Sequence, residues 1–451
     1  MSTGKRRTPR LAAAAALLAA AAVPAWALGL VEAYELAVRN DPTYRAAQFE
    51  NEAAQQFAVL GRSNLLPNIA ASYSPSRNRA DVTNTATGGA TDERRYNALS
   101  AALQLRQPLF HPEGMARYRQ GLAQTRGSDA QFAAKSQELI VRVASAYTFA
   151  KYAEDQLALA VAQREALAEQ RLTNQRLFLR GEGTRTDVVE TQARFDLAVA
   201  QVLEANDNVT NARNALAAIV GRDVTRLDEL NDDFNVGQLV PGNFEDWRAI
   251  ALSSNPELQA RRHAVDVARE EANRHRAGHL PRVDLVASVG KTDSDTINTF
   301  NQKATVRSVG AQLTLPLYSG GAVAAAVSQA EANADRIQAE LDAATAETTV
   351  ELRKQFDLTA SSAARHDAAR AARDSALLLL ESTRRSVTAG QRINLDVLQA
   401  QQQLFDSRRN LAQARYNYLL SLLRLRLAAG VLQLSDLVDM SRYFKTTGPG
   451  G

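Results

Sequence analysis

The chain of 451 residues contains no cysteine. A disulfide framework, a reactive thiolate and a lipid-bearing cysteine are therefore all excluded. Proline is also scarce, with 12 residues, and aromatic residues make up 6% of the chain. Few helix breakers, together with long stretches rich in Ala, Gln, Arg, Glu and Leu, indicate extended helices rather than a row of globular domains.

A long apolar run occurs only at the start of the chain. A basic segment, residues 5–10, precedes the apolar stretch 11–23, and Ala25-Trp26-Ala27 has the small-residue pattern of a cleavage site. We predict a signal peptide over residues 1–27. The remaining 28–451 contain no apolar run of 18 residues, which argues against a transmembrane helix there. The four lysines and arginines of the predicted signal peptide account for the net charge of +4, so nothing in the charge balance favours nucleic acid as a partner.

The chain carries an internal repeat with a period of about 210 residues. The landmarks of the first copy are Asn-Asp-Pro (40–42), Leu-Leu-Pro (65–67), Gln-Pro-Leu-Phe (107–110), Gly181, Asp-Val (187–188) and Gly221. The matching landmarks of the second copy are Asn-Pro (255–256), Leu-Pro (280–281), Leu-Pro-Leu-Tyr (315–318), Gly390, Asp-Val (396–397) and Gly430. We divide the mature chain into a first repeat (28–221), a connector (222–244), a second repeat (245–430) and a tail (431–451).

Each copy predicts a helix, a pair of strands, a very long helix, a tight turn and a last helix. The first copy predicts helices at about 30–64, 113–178 and up to 220, with strands at about 66–76 and 96–110. The second predicts helices at about 245–279, 322–388 and 393–428, with strands at about 281–291 and 304–318. A helix of about 67 residues is roughly 100 Å long, and two helices of about 35 residues stacked end to end match it. These lengths predict a cylinder of uniform height, with the connector and tail forming a collar around it.

Apolar residues recur every seven positions on the last helix of each copy. The seams are Val188, Phe195, Val202, Val209 and Leu216, then Leu398, Phe405, Ala412 and Leu419, with a second seam at Leu404, Leu411, Tyr418 and Leu425. Two seams on one helix indicate neighbours on both sides, as in a helical wall. A soluble helical bundle is the alternative on this evidence alone.

The predicted strands alternate between apolar and polar residues. Val309, Ala311 and Leu313 alternate with Ser308, Gly310 and Gln312. Alternation over about ten residues is typical of strands that cross an outer membrane, although an ordinary half-buried sheet shows it too. Polar loops are expected at 77–95 and 291–303. Four strands cannot close a barrel, whereas three chains supply twelve and leave a lumen. We therefore predict a mainly α fold that forms a homotrimer, with a twelve-stranded transmembrane β-barrel on an α-helical tube.

The C-terminal stretch 389–432 resembles the TolC-type outer membrane efflux proteins. The resemblance is carried by ARYNYL (414–419), by Gly430, and by the G-x-x-x-x-x-D-V spacing at 181–188 and 390–397. It implies a trimeric exit duct in the outer membrane of a Gram-negative bacterium that reaches through the periplasm. Its partners would be a periplasmic adaptor and an inner-membrane pump of the ABC or RND type, with outer-membrane lipid around the barrel and no cofactor.

The resemblance also implies a gate at the two helical hairpin tips. Thr186 and Asp187 of the first tip would face Arg392 of the second, and three copies of Asp396 would form an acidic ring that selects cations. The turns at Gly181 and Gly390 would present the adaptor-docking surface.

Three positions depart from the family pattern near these tips. Val387 stands where a tyrosine would join the closing link, and Gln399 stands where a second aspartate would double the ring. Arg384 replaces an acid that would pair with the residue at the position of Gln170. We therefore expect closure to depend more on Asp187 and Arg392, and the cation site to be weaker.

Other readings of the sequence are less well supported. His275 and His279 have the i, i+4 spacing of a metal pair. We expect no acidic or thiol partner near them, which favours a helix-end role. No spacing of catalytic residues points to an enzyme. A periplasmic coiled-coil adaptor or scaffold without a membrane barrel remains the alternative function. The cargo, whether drug or secreted protein, is not readable from these residues.

Overall fold

The computed structural model describes residues 27–83, 88–89, 91–231, 234, 236–237, 239–294 and 302–445. The predicted signal peptide lies outside these residues except for Ala27, as do parts of both strand connections. No helix in the described ranges holds an 18-residue stretch apolar enough to cross a membrane.

Long helices dominate the described chain. The helices are α1 (Leu30–Asn40), α2 (Pro42–Ala54), α3 (Gln56–Ser63), α4 (Pro112–Leu179), α5 (Arg185–Val220), α6 (Phe244–Ser254), α7 (Pro256–Arg276), α8 (Ala322–Thr388), α9 (Asn394–Ala429) and α10 (Leu434–Ser441). The strands are β1 (Asn68–Thr83), β2 (Thr91–Phe110), β3 (Glu229–Leu230), β4 (Arg282–Ser294), β5 (Gln302–Thr314) and β6 (Phe444–Lys445).

The two copies agree closely in their long elements. Helix α4 has 68 residues and α8 has 67, so each is roughly 100 Å long. Helices α5 and α9 have 36 residues each. The predicted bounds of all four helices are confirmed to within a few residues, because no proline interrupts them.

The prediction of one continuous helix before each strand pair is wrong. The backbone leaves the helical conformation at Asp41 (ψ 116°) and at Asn255 (ψ 118°). Each precedes a proline, which disfavours helical geometry in the residue before it. Asn255 then caps α7, accepting hydrogen bonds from the backbone N–H groups of Glu257 and Leu258 at 2.9 and 3.2 Å.

The chain forms two compact units. Of the described residues, the helical unit comprises 27–45, 135–253 and 349–445, and the sheet unit comprises 46–134 and 254–348.

The main apolar core of the helical unit surrounds Tyr147. Its side chain is fully buried, and its hydroxyl donates to the carbonyl oxygen of Leu28 at 2.9 Å and accepts from the N–H of Asp228 at 3.1 Å. Burial raises the pKa of Tyr147 well above its usual value. The seam residues Leu216 and Leu419 belong to the same core, at 0% and 1% exposure. The seams predicted from the heptads are therefore packed.

The connector and the tail contact each other within the helical unit. Strand β3 pairs antiparallel with β6. Trp247, which follows the connector, is 3% exposed and donates its indole N–H to the carbonyl oxygen of Pro241 at 2.8 Å. It packs in a small cluster with Leu352 and Leu425.

The sheet unit contains a four-stranded antiparallel sheet in the order β1-β2-β4-β5. The strands continue into the regions predicted as polar loops, since β1 reaches Thr83, β2 begins at Thr91, β4 reaches Ser294 and β5 begins at Gln302. Strand β5 also ends earlier than predicted, at Thr314. The expectation of loops was wrong because a backbone ladder continues wherever a paired strand is present, whatever its side chains.

The register places the odd-numbered residues of all four strands on one face. Over most of its length this face is apolar and open to solvent in the single chain, as shown by Ile69 (66% exposed), Leu103 (52%), Val309 (77%) and Leu313 (66%). The even-numbered face carries small and polar residues. The alternation predicted from the sequence is confirmed.

Close helix contacts and one buried carboxylate support the sheet. Asp284 is fully buried and pairs with Arg106 at 2.7 Å and Arg282 at 2.9 Å. In the same unit, α3 lies directly against α4. A Cβ added at Gly121 would lie 2.3 Å from the carbonyl oxygen of Phe57, so only glycine permits this approach.

Candidate functional site at the hairpin tips

The helices of the helical unit form two hairpins, α4–α5 and α8–α9, whose turns have the same construction. The first helix of each ends at a glycine in the left-handed region, Gly181 (φ 79°) and Gly390 (φ 75°). The following N–H, of Glu182 or Gln391, donates to the carbonyl oxygen five residues back at 2.9 Å. This hydrogen bond closes the helix end and requires a conformation that L-residues rarely adopt.

The second helix of the first hairpin begins with a reciprocal cap. The hydroxyl of Thr184 accepts from the N–H of Asp187 at 3.1 Å. The carboxylate of Asp187 accepts from the N–H and the hydroxyl of Thr184 at 3.1 and 2.6 Å. The negative charge of Asp187 is thereby stabilised by the N-terminus of its own helix, α5.

The second hairpin lacks this cap. Ile393 occupies the position equivalent to Thr184 and has no hydroxyl, and its side chain makes no cap hydrogen bond. The carboxylate of Asp396, equivalent to Asp187, is half-buried and has no hydrogen bond or ion pair to any described residue. Two aspartates at matching repeat positions therefore differ, because one is satisfied locally and the other is available.

The described residues of the single chain show no ion pair between Asp187 and Arg392. Arg392 and Thr186 are exposed. The closing link expected between these residues stays a prediction about the assembled protein.

Neutral amides join the two hairpins near their tips. Gln170 donates to the side-chain oxygen of Asn394 at 2.9 Å and to that of Asn174 at 3.1 Å. Asn174 in turn donates to the hydroxyl of Thr191 at 2.7 Å. Leu398 packs beside them against the first hairpin. Sequence reasoning missed this contact, although it named Gln170 as the position that an acid at residue 384 would pair with.

The contact contains one unsatisfied group. The side-chain nitrogen of Asn394 is buried and has no hydrogen-bond partner among the described residues. A buried donor without a partner is unfavourable by about 1–3 kcal/mol relative to a satisfied one. Separation of the hairpins would return this donor to water.

The three departures from the family pattern lie on the second hairpin, Arg384 and Val387 on α8 and Gln399 on α9. Arg384 is exposed and lines a cavity of about 530 Å³ bounded by α4, α5, α8 and α9, together with Arg194 and Arg408. Val387 is half-buried against a small apolar cluster. Gln399 is exposed.

The histidine pair has an acidic neighbour, so the expectation of none was wrong. His275 lies 3.2 Å from Glu271, one turn earlier on the same helix, and His279 ends a short 3-10 turn after that helix. No group of three or more His, Cys, Asp or Glu side chains converges in the part of the chain that the structure describes.

The repeat architecture and the hairpin tips correspond to one known family. The model of the family described as outer membrane efflux protein matches residues 33–222 and 247–431, which is most of both repeats. The chain belongs to the outer membrane efflux protein family. The resemblance carried by ARYNYL and the glycine turns is confirmed.

Individual relatives of this outer membrane efflux protein span nearly its whole length. It is 46% identical over 423 residues to the alkaline protease secretion protein AprF of Pseudomonas aeruginosa, covering 93% of this chain and 88% of AprF. It is 39% identical over 430 residues to the proteases secretion protein PrtF of Dickeya chrysanthemi, covering 94% and 92%. The crystal structure of the Campylobacter jejuni CmeC outer membrane channel superposes with a TM-score of 0.77 at 18% identity, covering 93% and 90%, and shows the same fold.

Family membership fixes the class of function and the compartment. The protein is an outer-membrane exit duct of an export system, extends into the periplasm, and is not an enzyme. Export systems of this kind work with an adaptor and an inner-membrane pump.

Proposed function

We propose that this outer membrane efflux protein is the exit duct of a protein secretion system, served by a periplasmic adaptor and an ABC-type pump. The observation that carries the proposal is the 46% identity with AprF, which is named for alkaline protease secretion. PrtF, which is named for secretion of proteases, is 39% identical to this chain and supports the same kind of cargo. The cargo proposed is therefore a secreted protein, such as a protease, rather than a small drug.

The pump that co-purifies with the duct tests the cargo. The duct is captured from its native host after chemical cross-linking, and its inner-membrane partner is identified by mass spectrometry. An ABC-type pump supports protein cargo, and deletion of the duct should then abolish secretion of one or more proteins. An RND-type pump, with secretion unchanged by the deletion, overturns the assignment.

We further propose that three copies complete the membrane part. In the single chain, β1 and β5 are edge strands of the sheet, with 16 and 13 residues whose outer backbone groups lack a neighbouring strand among the described residues. Edges of this length must be covered in a lipid environment. Pairing of β5 of one copy with β1 of the next would cover them and close a twelve-stranded barrel.

Fractionation of cells distinguishes the duct from a periplasmic scaffold. A duct predicts a trimer band in the outer-membrane fraction that survives detergent and converts to monomer on heating. Recovery of the protein from the soluble periplasm as a monomer or dimer would contradict both the trimer and the barrel.

The hairpin tips are proposed as the gate. We propose Asp396 for the acidic ring, since its carboxylate has no hydrogen bond or ion pair to a described residue of its own chain. Thr186, Asp187 and Arg392 are proposed to form the closing link between neighbouring hairpins, and the turns at Gly181 and Gly390 are proposed to receive the adaptor. The neutral contact between Gln170 and Asn394 supports a closed state that separates at low energetic cost.

Gln170→Ala tests this gate directly. It removes the donor to Asn394 and Asn174, so we expect a larger fraction of open channels in planar bilayers and greater sensitivity of cells to vancomycin. Thr173→Ala is the matched control, because the exposed Thr173 hydroxyl bonds only within its own helix, to the carbonyl oxygen of Glu169 at 3.0 Å. Equal conductance and sensitivity for the two variants would show that the amide contact does not hold the tips together.

A further inference from the structure

The apolar face of the sheet ends in a band of cationic side chains. The band lies at the end of the strands that leads into the connections β1–β2 and β4–β5, away from the helices that adjoin Asn68 and Phe110. All of its members are odd-numbered and therefore share the face of Ile69 and Val309. They are Arg77 and Arg79 on β1, Arg95 on β2, Lys291 on β4, and Lys303 and Arg307 on β5. We call this set the cationic band.

The border between apolar face and cationic band is oblique to the hydrogen-bonded rows. Arg307 on β5 shares a row with Val289, Leu103 and Ala71. Beyond that row the band begins two residues along β4 at Lys291, eight along β2 at Arg95 and six along β1 at Arg77. A border that moves by six to eight residues between β5 and the β1–β2 side is compatible with tilted strands that cross a level boundary. The band therefore does not follow one hydrogen-bonded row of the sheet.

The acids on the same face neutralise only part of the band. Glu93 is shared between Arg79 at 2.7 Å and Arg95 at 2.6 Å, and Asp293 pairs with Lys303 at 2.8 Å. Asp81 is the other acid on this face among the described strand residues. Six cations thus face three carboxylates in each chain.

Three members of the band have no acid within ion-pair distance in the described chain. They are Arg77, Lys291 and Arg307, and all three are exposed. Uncompensated cations repel one another, so their placement at one level calls for an external anion.

Protection of sheet edges does not account for the band. Charged residues on edge strands discourage wrong pairing, which could explain the cations of β1 and β5. Lys291, however, is paired on both sides, with Ala101 on β2 and with Thr305 on β5. A function on the face itself is required for this residue.

We propose that the cationic band binds phosphorylated lipid headgroups of the outer leaflet. The inference rests on the proposed membrane-spanning role of the sheet, since only then does this end of the strands meet the outer leaflet. Guanidinium groups match phosphate oxygens in bidentate geometry, and ammonium groups attract them as point charges. The apolar face directly below supplies contact for the acyl chains of the same lipid. In a closed trimer, the cations of β5 and β1 from neighbouring copies would make the band continuous.

Binding of bis-phosphorylated lipid A to the full-length purified trimer in nonionic detergent tests the proposal. The variant carries Arg77→Gln, Lys291→Gln and Arg307→Gln, which removes the three cations without an acid. Cations near an anionic surface each contribute about fivefold to affinity, so the three changes should weaken binding about a hundredfold. A charge-preserving variant with Arg77→Lys, Lys291→Arg and Arg307→Lys should retain binding to within a few-fold.

The matched control is Arg94→Gln on the opposite face of β2, where Arg94 pairs with Asp92. It removes one cation at a similar level and should leave the affinity unchanged. Monophosphorylated lipid A should bind more weakly than the bis-phosphorylated form, and inorganic phosphate should compete only at high concentration.

Lipid A affinity equal to wild type in the triple Gln variant overturns the proposal, as does a loss of the same size in Arg94→Gln. Trimer bands and bilayer conductance are measured on the same preparations. If the triple Gln variant keeps its conductance and its lipid A affinity, only the lipid-binding proposal is refuted. If the wild-type protein forms no conducting trimer, the proposed function on which it rests is refuted.

Discussion

At the scale of single residues, the two hairpin tips differ by one side chain with large consequences. Thr184 supplies a hydroxyl that closes a cap with Asp187, and Ile393 cannot. The carboxylate of Asp396 is left without a partner in the described chain. The duplicated sequence thus produces one acid that caps its own helix and one whose carboxylate is available for the role that we propose.

The first prediction concerns the ring proposed for Asp396. Asp396→Asn should abolish most of the block of the channel by divalent cations. It should also move the reversal potential in a salt gradient toward zero, because the substitution removes three negative charges from a narrow opening. Gln399→Asp should act in the opposite direction by adding three charges nearby. Planar-bilayer recordings measure both, and unchanged block in Asp396→Asn would remove Asp396 from the ring.

A second prediction concerns Asp155 in the helical unit. Its carboxylate accepts from the Tyr416 hydroxyl at 2.6 Å and lies 3.5 Å from the Lys151 ammonium. Burial nevertheless raises the pKa of Asp155 above its usual value of 3.8. Protonation of Asp155 is therefore more favourable in the folded protein than in the unfolded chain. The stability that this preference supplies is fully present below pH 3.8 and is lost as the pH rises through the folded pKa.

Asp155→Asn mimics the protonated side chain and keeps an acceptor for Tyr416. We expect it to raise the thermal midpoint at pH 7, with the advantage over wild type shrinking as the pH falls toward 4. Circular dichroism melts across this range measure it. A variant that is less stable than wild type at pH 7 would show that the charge of Asp155 is needed by Lys151.

At the scale of elements, sequence periodicity predicted the long helices well and the interruptions poorly. Helices α4 and α8 have continuous helix-forming sequence, and their ends are marked by Gly181 and Gly390. The breaks at Asp41 and Asn255 were signalled by the prolines that follow, but apolar periodicity on both sides concealed them. Strand length was underestimated because Arg77 and Lys291 look like loop residues until their pairing partners are known.

The contact between Gln170 and Asn394 was not predictable in the same way. The two residues are 224 positions apart, and amide side chains carry no pattern that marks them as partners. Only the packing of the two hairpins brings them together. The cap at Thr184 is different, since its partner lies three residues away and the spacing is readable from the sequence.

The third prediction concerns the contact between helices α3 and α4. Gly121→Ala should destabilise the sheet unit by about 1–3 kcal/mol through overpacking, because the added methyl meets the backbone of Phe57. Gly127→Ala in the same helix is the control. Its nearest neighbour would be His263 Cβ at 3.4 Å, an ordinary contact, so replacement of a helical glycine should stabilise by up to about 1 kcal/mol.

Yield of heat-resistant trimer and its melting midpoint distinguish the two glycine variants. Gly121→Ala should lower both, and Gly127→Ala should leave both unchanged or raise them. Equal behaviour of the two variants would mean that the close approach of the backbones is not needed.

At the scale of the whole molecule, the repeat supplies the same strands and hairpin twice, and the differences between the two copies distinguish their roles. Both copies provide two strands and a hairpin, and the outer membrane efflux family uses this arrangement for export ducts. The repeat alone could not name the cargo, because neither hairpin nor strand contacts identify what passes through. The relatives supply that hypothesis through their names.

The burial of Trp247 has a practical consequence for following assembly. Of the two tryptophans in the sequence, Trp26 falls in the predicted signal peptide, so the processed chain retains only Trp247. We predict a single blue-shifted emission band from the processed protein, which should move to the red when the connector segment detaches from α8 and α9. Emission typical of solvent-exposed indole in the folded trimer would contradict the observed packing. The protein thus contains its own fluorophore where α6 packs against α8 and α9, and detachment of the connector segment can be recorded without a label.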